Sequence, residues 1–284
     1  MATFENRATL SYGGRTTDSN VVTGEILEVL SVTKTAVRAA YTSGGTVTYV
    51  VSIVNTGAAA FTGIGVSDDL GAYAFGGQTL VPLTYVAGTT QYYVNGVLQA
   101  TPDVTAGPPL SVTGLTVPAG GSVTLIYEAQ TNEYTPLALE STVVNTVTVT
   151  GDRLAAPLTA TATVGALSEA RLSVCKSLSP ATVAENGRLT YTFAFSNTGS
   201  AAAEEADALV LTDTFDPRLS DLTVTYNGVA LAEGTDYTYD PATGQFATVA
   251  GRITVPAAAY TQDAATGAVV TTPGSGVLTV TGTI

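Results

Sequence analysis

The sequence contains no histidine. That removes the usual general base, the usual metal ligand and the usual partner of a catalytic serine or cysteine. It contains one cysteine, so no disulfide can form within the chain. A protein working outside the cell would then need another kind of staple. Basic residues are scarce: 10 Lys and Arg stand against 23 Asp and Glu, for a formal net charge of -13. Nucleic acid is therefore a poor partner, because phosphate contacts need clustered cations. No apolar run is long enough to span a bilayer, so no membrane insertion is expected. The opening MATFENRATL has neither a basic nor an apolar leader region and does not read as a signal peptide.

What is present is a β-sheet composition. Val, Thr, Tyr and Leu recur in short runs, punctuated by 29 Gly and 12 Pro, and no long stretch has helical spacing. Only 12% of residues are charged, but 45% are hydrophobic and alternate with polar ones, as a packed sheet requires and a disordered tail does not. The pattern predicts an all-β protein, and 284 residues suffice for two domains with separate cores.

The sequence repeats itself. LSVTK ending at Lys34 matches LSVCK ending at Lys176, and TYVVSIVNTG from Thr48 aligns with TYTFAFSNTG from Thr190. Tyr49 and Tyr191 each follow their lysine by 15 residues. VSD ending at Asp68 aligns with LTD ending at Asp213, and VNGV from Val94 parallels YNGV from Tyr226, each an Asn-Gly hairpin signal. LTVPAG near Pro118 parallels ITVPAA near Pro256. Two homologous β-sandwiches in tandem are expected.

The ends are out of phase. The first repeat finishes with NTVTVTG at Asn145 to Gly151, whereas the second stops at GVLTVTGTI, which aligns with SVTLIYEAQ at Ser122 to Gln130. The second sandwich is thus expected to lack its terminal strand. NRATLSYGG at Asn6 to Gly14 reads like that strand, with Asn first and alternation after it. The expected organisation is a donor strand and linker over 1–23, an Ig-like sandwich over 24–165 and an incomplete Ig-like sandwich over 166–284. An open sheet edge invites a strand from another copy, and one donor end plus one acceptor end per chain gives a head-to-tail homopolymer. The alternative is that the N-terminal strand folds back into its own second domain.

Side chains in a strand alternate faces. Lys34 shares parity with Ile26, Leu30 and Val32, and Lys176 with Leu172 and Val174. Asp68 lies with Ile64 and Val66, Asp213 with Leu209 and Leu211. Asn145 lies with Val143, Val147 and Val149, and Asn6 with Phe4, Ala8 and Leu10. Each sandwich is thus expected to point a Lys, an Asp and an Asn inward, at a cost of several kcal/mol unless they pair or lose charge. One account is a self-formed amide. A buried lysine tends toward its neutral, nucleophilic form, and a carboxylic acid in an apolar site can polarise the Asn carbonyl. The other account is a buried Lys–Asp ion pair bonded to the Asn amide, without chemistry.

This ordered set of Lys, then TYVVSIVNTG, then VSDDLG, then NTVTVTG resembles the conserved-repeat domain of bacterial and archaeal surface proteins. It also resembles the isopeptide-forming Ig-like domains of bacterial adhesins and pili. The resemblance covers nearly the whole chain. It implies a bond from Lys34 to Asn145 with Asp68 as catalytic helper. In the second domain it implies an interchain bond from Lys176 to Asn6 of a neighbouring copy, with Asp213 as helper. The second domain departs from the pattern in having no C-terminal Asn of its own. The function so implied is a structural subunit of an extracellular fibre or cell or spore surface, not an enzyme acting on other molecules. No cofactor or metal is expected. A monomeric surface adhesin with its own ligand is the alternative.

Three further readings complete the set. Glu128, aligned with Gly282, is expected to point outward. The Asp213, Asp216 and Asp221 spacing fits no calcium loop. The tyrosines are read as packing.

Overall fold

A computed structural model describes residues 2–284, leaving Met1 outside. The chain is almost entirely β, with one short 3-10 turn at Glu205–Asp207. It begins with β1 (Ala2–Asn6), β2 (Thr9–Tyr12), β3 (Arg15–Asp18) and β4 (Val22–Ile26). The first repeat supplies β5 (Leu30–Ala36), β6 (Ala40–Tyr41), β7 (Thr46–Asn55), β8 (Phe61–Asp68), β9 (Tyr73–Phe75), β10 (Gln78–Leu80), β11 (Leu83–Tyr85), β12 (Gln91–Val94), β13 (Val97–Leu98), β14 (Asp103–Thr105), β15 (Leu110–Val117), β16 (Ser122–Thr131), β17 (Thr142–Thr150) and β18 (Leu158–Ala166). The second supplies β19 (Leu172–Ser179), β20 (Arg188–Asn197), β21 (Thr212–Thr214), β22 (Ser220–Tyr226), β23 (Val229–Ala230), β24 (Tyr237–Asp240), β25 (Gln245–Thr248), β26 (Ala259–Gln262), β27 (Val269–Thr272) and β28 (Gly274–Thr283).

Two compact units result: residues 1–135 with 143–164, and residues 136–142 with 165–284. In the first, one sheet runs β13-β12-β16-β7-β5, with β11 also on β16. The facing sheet runs β14-β15-β8-β17-β18-β6. Alternation decides what is buried. In β7 the residues Val47, Tyr49, Val51 and Ile53 are buried, and in β17 Val143, Asn145, Val147 and Val149 are. The Asn-Gly turns close hairpins in both units. Asn95 and Asn227 adopt φ of 50° and 49° and are followed by Gly96 and Gly228 at 78° and 82°, the left-handed pair that a two-residue hairpin needs.

The second unit repeats most of one sheet of the first and part of the other. Its sheet β19-β20-β28-β22-β23 matches β5-β7-β16-β12-β13, and β21-β25-β24 matches β8-β15-β14. Its core gathers Phe193, Phe195, Phe215, Phe246, Leu278 and Val280. Even the strand-end asparagines repeat. Asn55 donates to the carbonyls of Ala59 and Pro118 at 2.8 and 2.9 Å, and Asn197 donates to Ala201 and Pro256 at 2.8 and 3.0 Å.

The repetition stops at one place. In the first unit β8 is hydrogen-bonded on both sides, by β15 and by β17. Among the described residues β21, its counterpart, is paired on one side only, by β25. The register also corrects one alignment. Tyr127 pairs with Tyr49, and Val280 with Tyr191, so Tyr127 corresponds to Val280 and Glu128 to Thr281, not Gly282. A one-residue slip matters because it exchanges the faces of every side chain.

The N-terminal segment differs from the expected strand plus linker. β1 pairs with β4 and β2 with β3, two ribbons in succession along a hairpin over residues 2–26, with a register shift of one residue between the Asn6–Val22 and Thr9–Asp18 pairs. The ribbon is continuous past the Ala8–Ser19 step, where Ser19 N–H donates to the Ala8 carbonyl at 2.8 Å and Ala8 N–H to the Ser19 hydroxyl at 3.0 Å. Residues 16–23, expected to be linker, mostly belong to its return strand.

Candidate functional site

In the first unit β5 carries Lys34 on one sheet, while β8 and β17 carry Asp68 and Asn145 on the other. The Lys34 side chain is 0% exposed and Asp68 2%. Lys34 Nζ donates to Asp68 Oδ2 at 2.5 Å, across the core between sheets. Asp68 Oδ1 accepts the Leu70 N–H at 3.0 Å. The Tyr127 hydroxyl donates to Asp68 Oδ2 as well. Lys34 Nζ also lies 4.9 Å from the centre of the Tyr49 ring, which stacks on Tyr127 at 5.7 Å.

Burial drives the Lys34 pKa below its ordinary 10.5, against the opposing pull of the Asp68 charge. Burial likewise pushes the Tyr127 and Tyr49 hydroxyls upward, so Tyr127 is held as a proton donor. Asn145 is fully buried, yet neither its Nδ2 nor its Oδ1 has a hydrogen-bond partner, and the Tyr49 hydroxyl also lacks one. The amide stands near enough to both tyrosine hydroxyls to oppose their rise, second only to burial for Tyr49. A buried, unpaired carboxamide costs about 1–3 kcal/mol for each orphaned group. Register sets its place: Val147 pairs with Asp68, and Asn145 lies two residues along the same inner face of β17.

The ion pair and the apolar enclosure are thus those expected from parity, but the Asn amide is not bonded into the pair. Tyr127 is the residue missed when the tyrosines were read as packing. Its signal was there: a phenol at inward parity between Leu125 and Ala129 must find a partner for its hydroxyl. Glu128 is half-buried, and no hydrogen bond or ion pair ties its side chain to the Lys34–Asp68 pair.

The second unit repeats the pair without the enclosure. Lys176 donates to Asp213 Oδ2, but the Lys176 side chain is 42% exposed and Asp213 18%. Lys176 Nζ lies over the rings of Tyr191, Phe193 and Phe215 at 4.5, 5.5 and 5.6 Å, so it does face the apolar side. Every residue of β19 is exposed, whereas Leu30 and Lys34 in β5 are buried. The expectation that Lys176 is buried therefore needs correction for the single chain. The surface that covers Lys34 in the first unit, β17 with β18, has no counterpart over Lys176 among the described residues. Val280 replaces Tyr127, so Asp213 has no phenol donor from that strand.

The donor residues lie in the N-terminal hairpin, outside the Lys34–Asp68 pair. Asn6 pairs with Val22 inside the exposed hairpin, with Phe4 and Leu10 51% and 62% exposed and Ala8 exposed beside them. Its backbone is paired within the first unit and is not loose.

The fold and site define an all-β chain of two Ig-like sandwiches, the first enclosing a lysine–aspartate–asparagine cluster. The family model described as the Sgo0707 N2 domain matches residues 168–271. No curated protein sequence matches the chain. Similar solved structures include the pilus backbone RrgB from Streptococcus pneumoniae, at 11% identity over 86% of this chain and 55% of that one, TM-score 0.35. The chain therefore spans about half the length of that backbone. The major pilin subunit BcpA of Bacillus cereus is similar at 9% identity over 96% of this chain and 73% of that one, TM-score 0.39. The collagen-binding domain of a Staphylococcus aureus adhesin is similar at 14% identity over 49% of this chain and 99% of that one, TM-score 0.30. At these identities and TM-scores they assign no function to this chain.

Proposed function

We propose that this chain is the structural subunit of a head-to-tail homopolymeric fibre outside the cell or on its surface. The N-terminal segment of one copy completes the second sandwich of the next, and self-formed Lys–Asn amides lock the strands. The observation that carries this reading is the contrast between the two lysine–aspartate pairs. The same pair is sealed under β17 in one unit and open beside the unpaired edge of β21 in the other. The sequence from Asn6 at the end of β1 through β2 repeats the alternation that β17 shows from Asn145, and it is exposed at the N-terminus. Unpaired edges and uncovered apolar faces are what strand addition relieves.

In the first unit the neutral Lys34 amine attacks Asn145 Cγ. The Nζ–Cγ bond forms and the Cγ–Nδ2 bond breaks. One proton passes from Nζ to the departing nitrogen, with Asp68 as carrier, and ammonia leaves. The product is a secondary amide in place of a buried amine and an unpaired carboxamide. Enclosure supplies the proximity that such a step requires. In the fibre, Lys176 and Asn6 of the adjoining copy undergo the same exchange beside Asp213.

Intact mass of the purified full chain tests the first bond: one ammonia less than the sequence mass is expected, restored by Lys34→Ala. Boiled polymer on a denaturing gel tests the second: a ladder is expected. Removing residues 1–14 tests the polymer itself. Loss of filaments, with a destabilised second unit, is expected, and filaments of normal length from the truncated chain would sink the reading.

A further inference from the structure

We infer that the donated element is a whole preformed hairpin, residues 2–26, and that the acceptor face takes two strands from a second copy rather than one. This rests on the strand-donation reading above and specifies its partner surface.

In the first unit the sheet that carries Asp68 continues past β8 with two successive strands, β17 and its neighbour β18. Val164 on β18 is as completely buried as Val147 and Val149 on β17, so both strands turn a face to the core. Asn145 follows Val143 in the inward set of the first strand, and Val164 stands on the second, 12 residues before Lys176.

The N-terminal hairpin has the same plan. Asn6 lies on its first strand, and Val22 stands on its second, 12 residues before Lys34. Asn6 and Val22 face each other in the ribbon, as do Phe4 and Gly24, and the Phe4 ring lies over Gly24 where a Cβ would collide with it at 2.4 Å. One face of the ribbon therefore presents Phe4, Asn6, Val22 and Ile26 together. Phe4, Val22 and Ile26 are 51%, 55% and 43% exposed, although Ile26 also borders a cavity beside Phe61 and Leu158 of the first unit.

The acceptor matches in kind. Val174 and Leu178 flank Lys176 on the open face and are 53% and 42% exposed, and β21 beside Asp213 has a second edge that no strand pairs among the described residues, where the Thr214 N–H is held by Asp213 Oδ1 at 2.9 Å. By repeat equivalence, Ala8 falls opposite Asp213, as Val147 stands opposite Asp68. A single added strand would itself present a new open edge. A hairpin carries its second strand with it and docks without breaking its own hydrogen bonds.

The test is a lock across the hairpin. Glu5 pairs with Thr23 and Thr3 with Glu25, both on the face opposite Asn6. Facing positions in an antiparallel pair lie within disulfide reach. Glu5→Cys with Thr23→Cys, and in parallel Thr3→Cys with Glu25→Cys, are made in a Cys175→Ser background. Filaments are counted by electron microscopy under oxidising and reducing conditions. Filament yield equal in both states, for either lock, is the result expected. Filaments in the reduced state but a tenfold or greater loss on oxidation, for both locks, overturns hairpin docking and leaves single-strand donation standing. Filaments from a chain lacking residues 2–26 overturn both. If neither lock assembles even when reduced, the outward face of the hairpin is itself buried in the polymer, which also overturns the proposal.

Discussion

Replacing Asn145 with alanine separates the covalent and non-covalent readings of the buried cluster by the sign of its effect. The two amide atoms of Asn145 have no hydrogen-bond partner. If the residue only packs, its removal relieves about 1–3 kcal/mol for each orphaned polar atom. A small cavity offsets about 1–2 kcal/mol of that. The variant would then match or exceed the parent in stability. If Asn145 is bonded to Lys34, the bond closes a loop between residues 111 apart. Chain entropy for such a loop corresponds to about 5 kcal/mol of stabilisation. Asn145→Ala then destabilises the first unit by about that amount, while the Lys34–Asp68 pair stays in place. Urea unfolding followed by far-ultraviolet circular dichroism measures the change, and intact mass on the same samples reports ammonia loss. A parent and variant of equal stability, both at full sequence mass, would refute the cross-link.

Other outcomes follow from the same geometry. Tyr127→Phe removes the hydroxyl donated to Asp68. It should lower the stability of the first unit by about 1.5–3 kcal/mol, the usual value of a hydrogen bond to a charged group. It should also slow ammonia loss after refolding, read by timed mass spectrometry. Lys176→Ala should change monomer stability by less than about 1 kcal/mol, because its ion pair is solvent-screened. The same variant should abolish the boiling-resistant ladder. In Asn145→Ala, Lys34 still titrates, with its folded pKa lowered from 10.5 by burial. Between that lowered value and about 10 the unfolded chain binds more protons at Lys34, so the stability of the first unit should rise with pH there; above about 10 the burial-raised hydroxyls of Tyr41, Tyr49 and Tyr127 reverse the slope, because the unfolded phenols ionise first. A fall in stability across the lower range, measured by urea titration at several pH values, would contradict a buried, neutralised lysine.

Much of this protein is written in its alternation. The strands of both sandwiches, the tandem repeat and the inward parity of Lys34, Asp68 and Asn145 all follow from period-two patterning. A sheet with one buried face forces apolar residues onto alternate positions. What decides the rest is contact between distant segments. That Lys34 meets Asp68 depends on two sheets facing each other, 34 residues apart in sequence. That Tyr127 joins them depends on β16 lying beside β7, a register that alignment alone missed by one residue. The hairpin of residues 2–26 was hidden for the opposite reason. A ribbon exposed on both faces buries nothing, so RTTDSN reads as linker although its backbone is paired. Composition and period set which side of each strand is apolar. Only the folded chain decides which of those sides are covered, because burial is a property of neighbours and not of a residue.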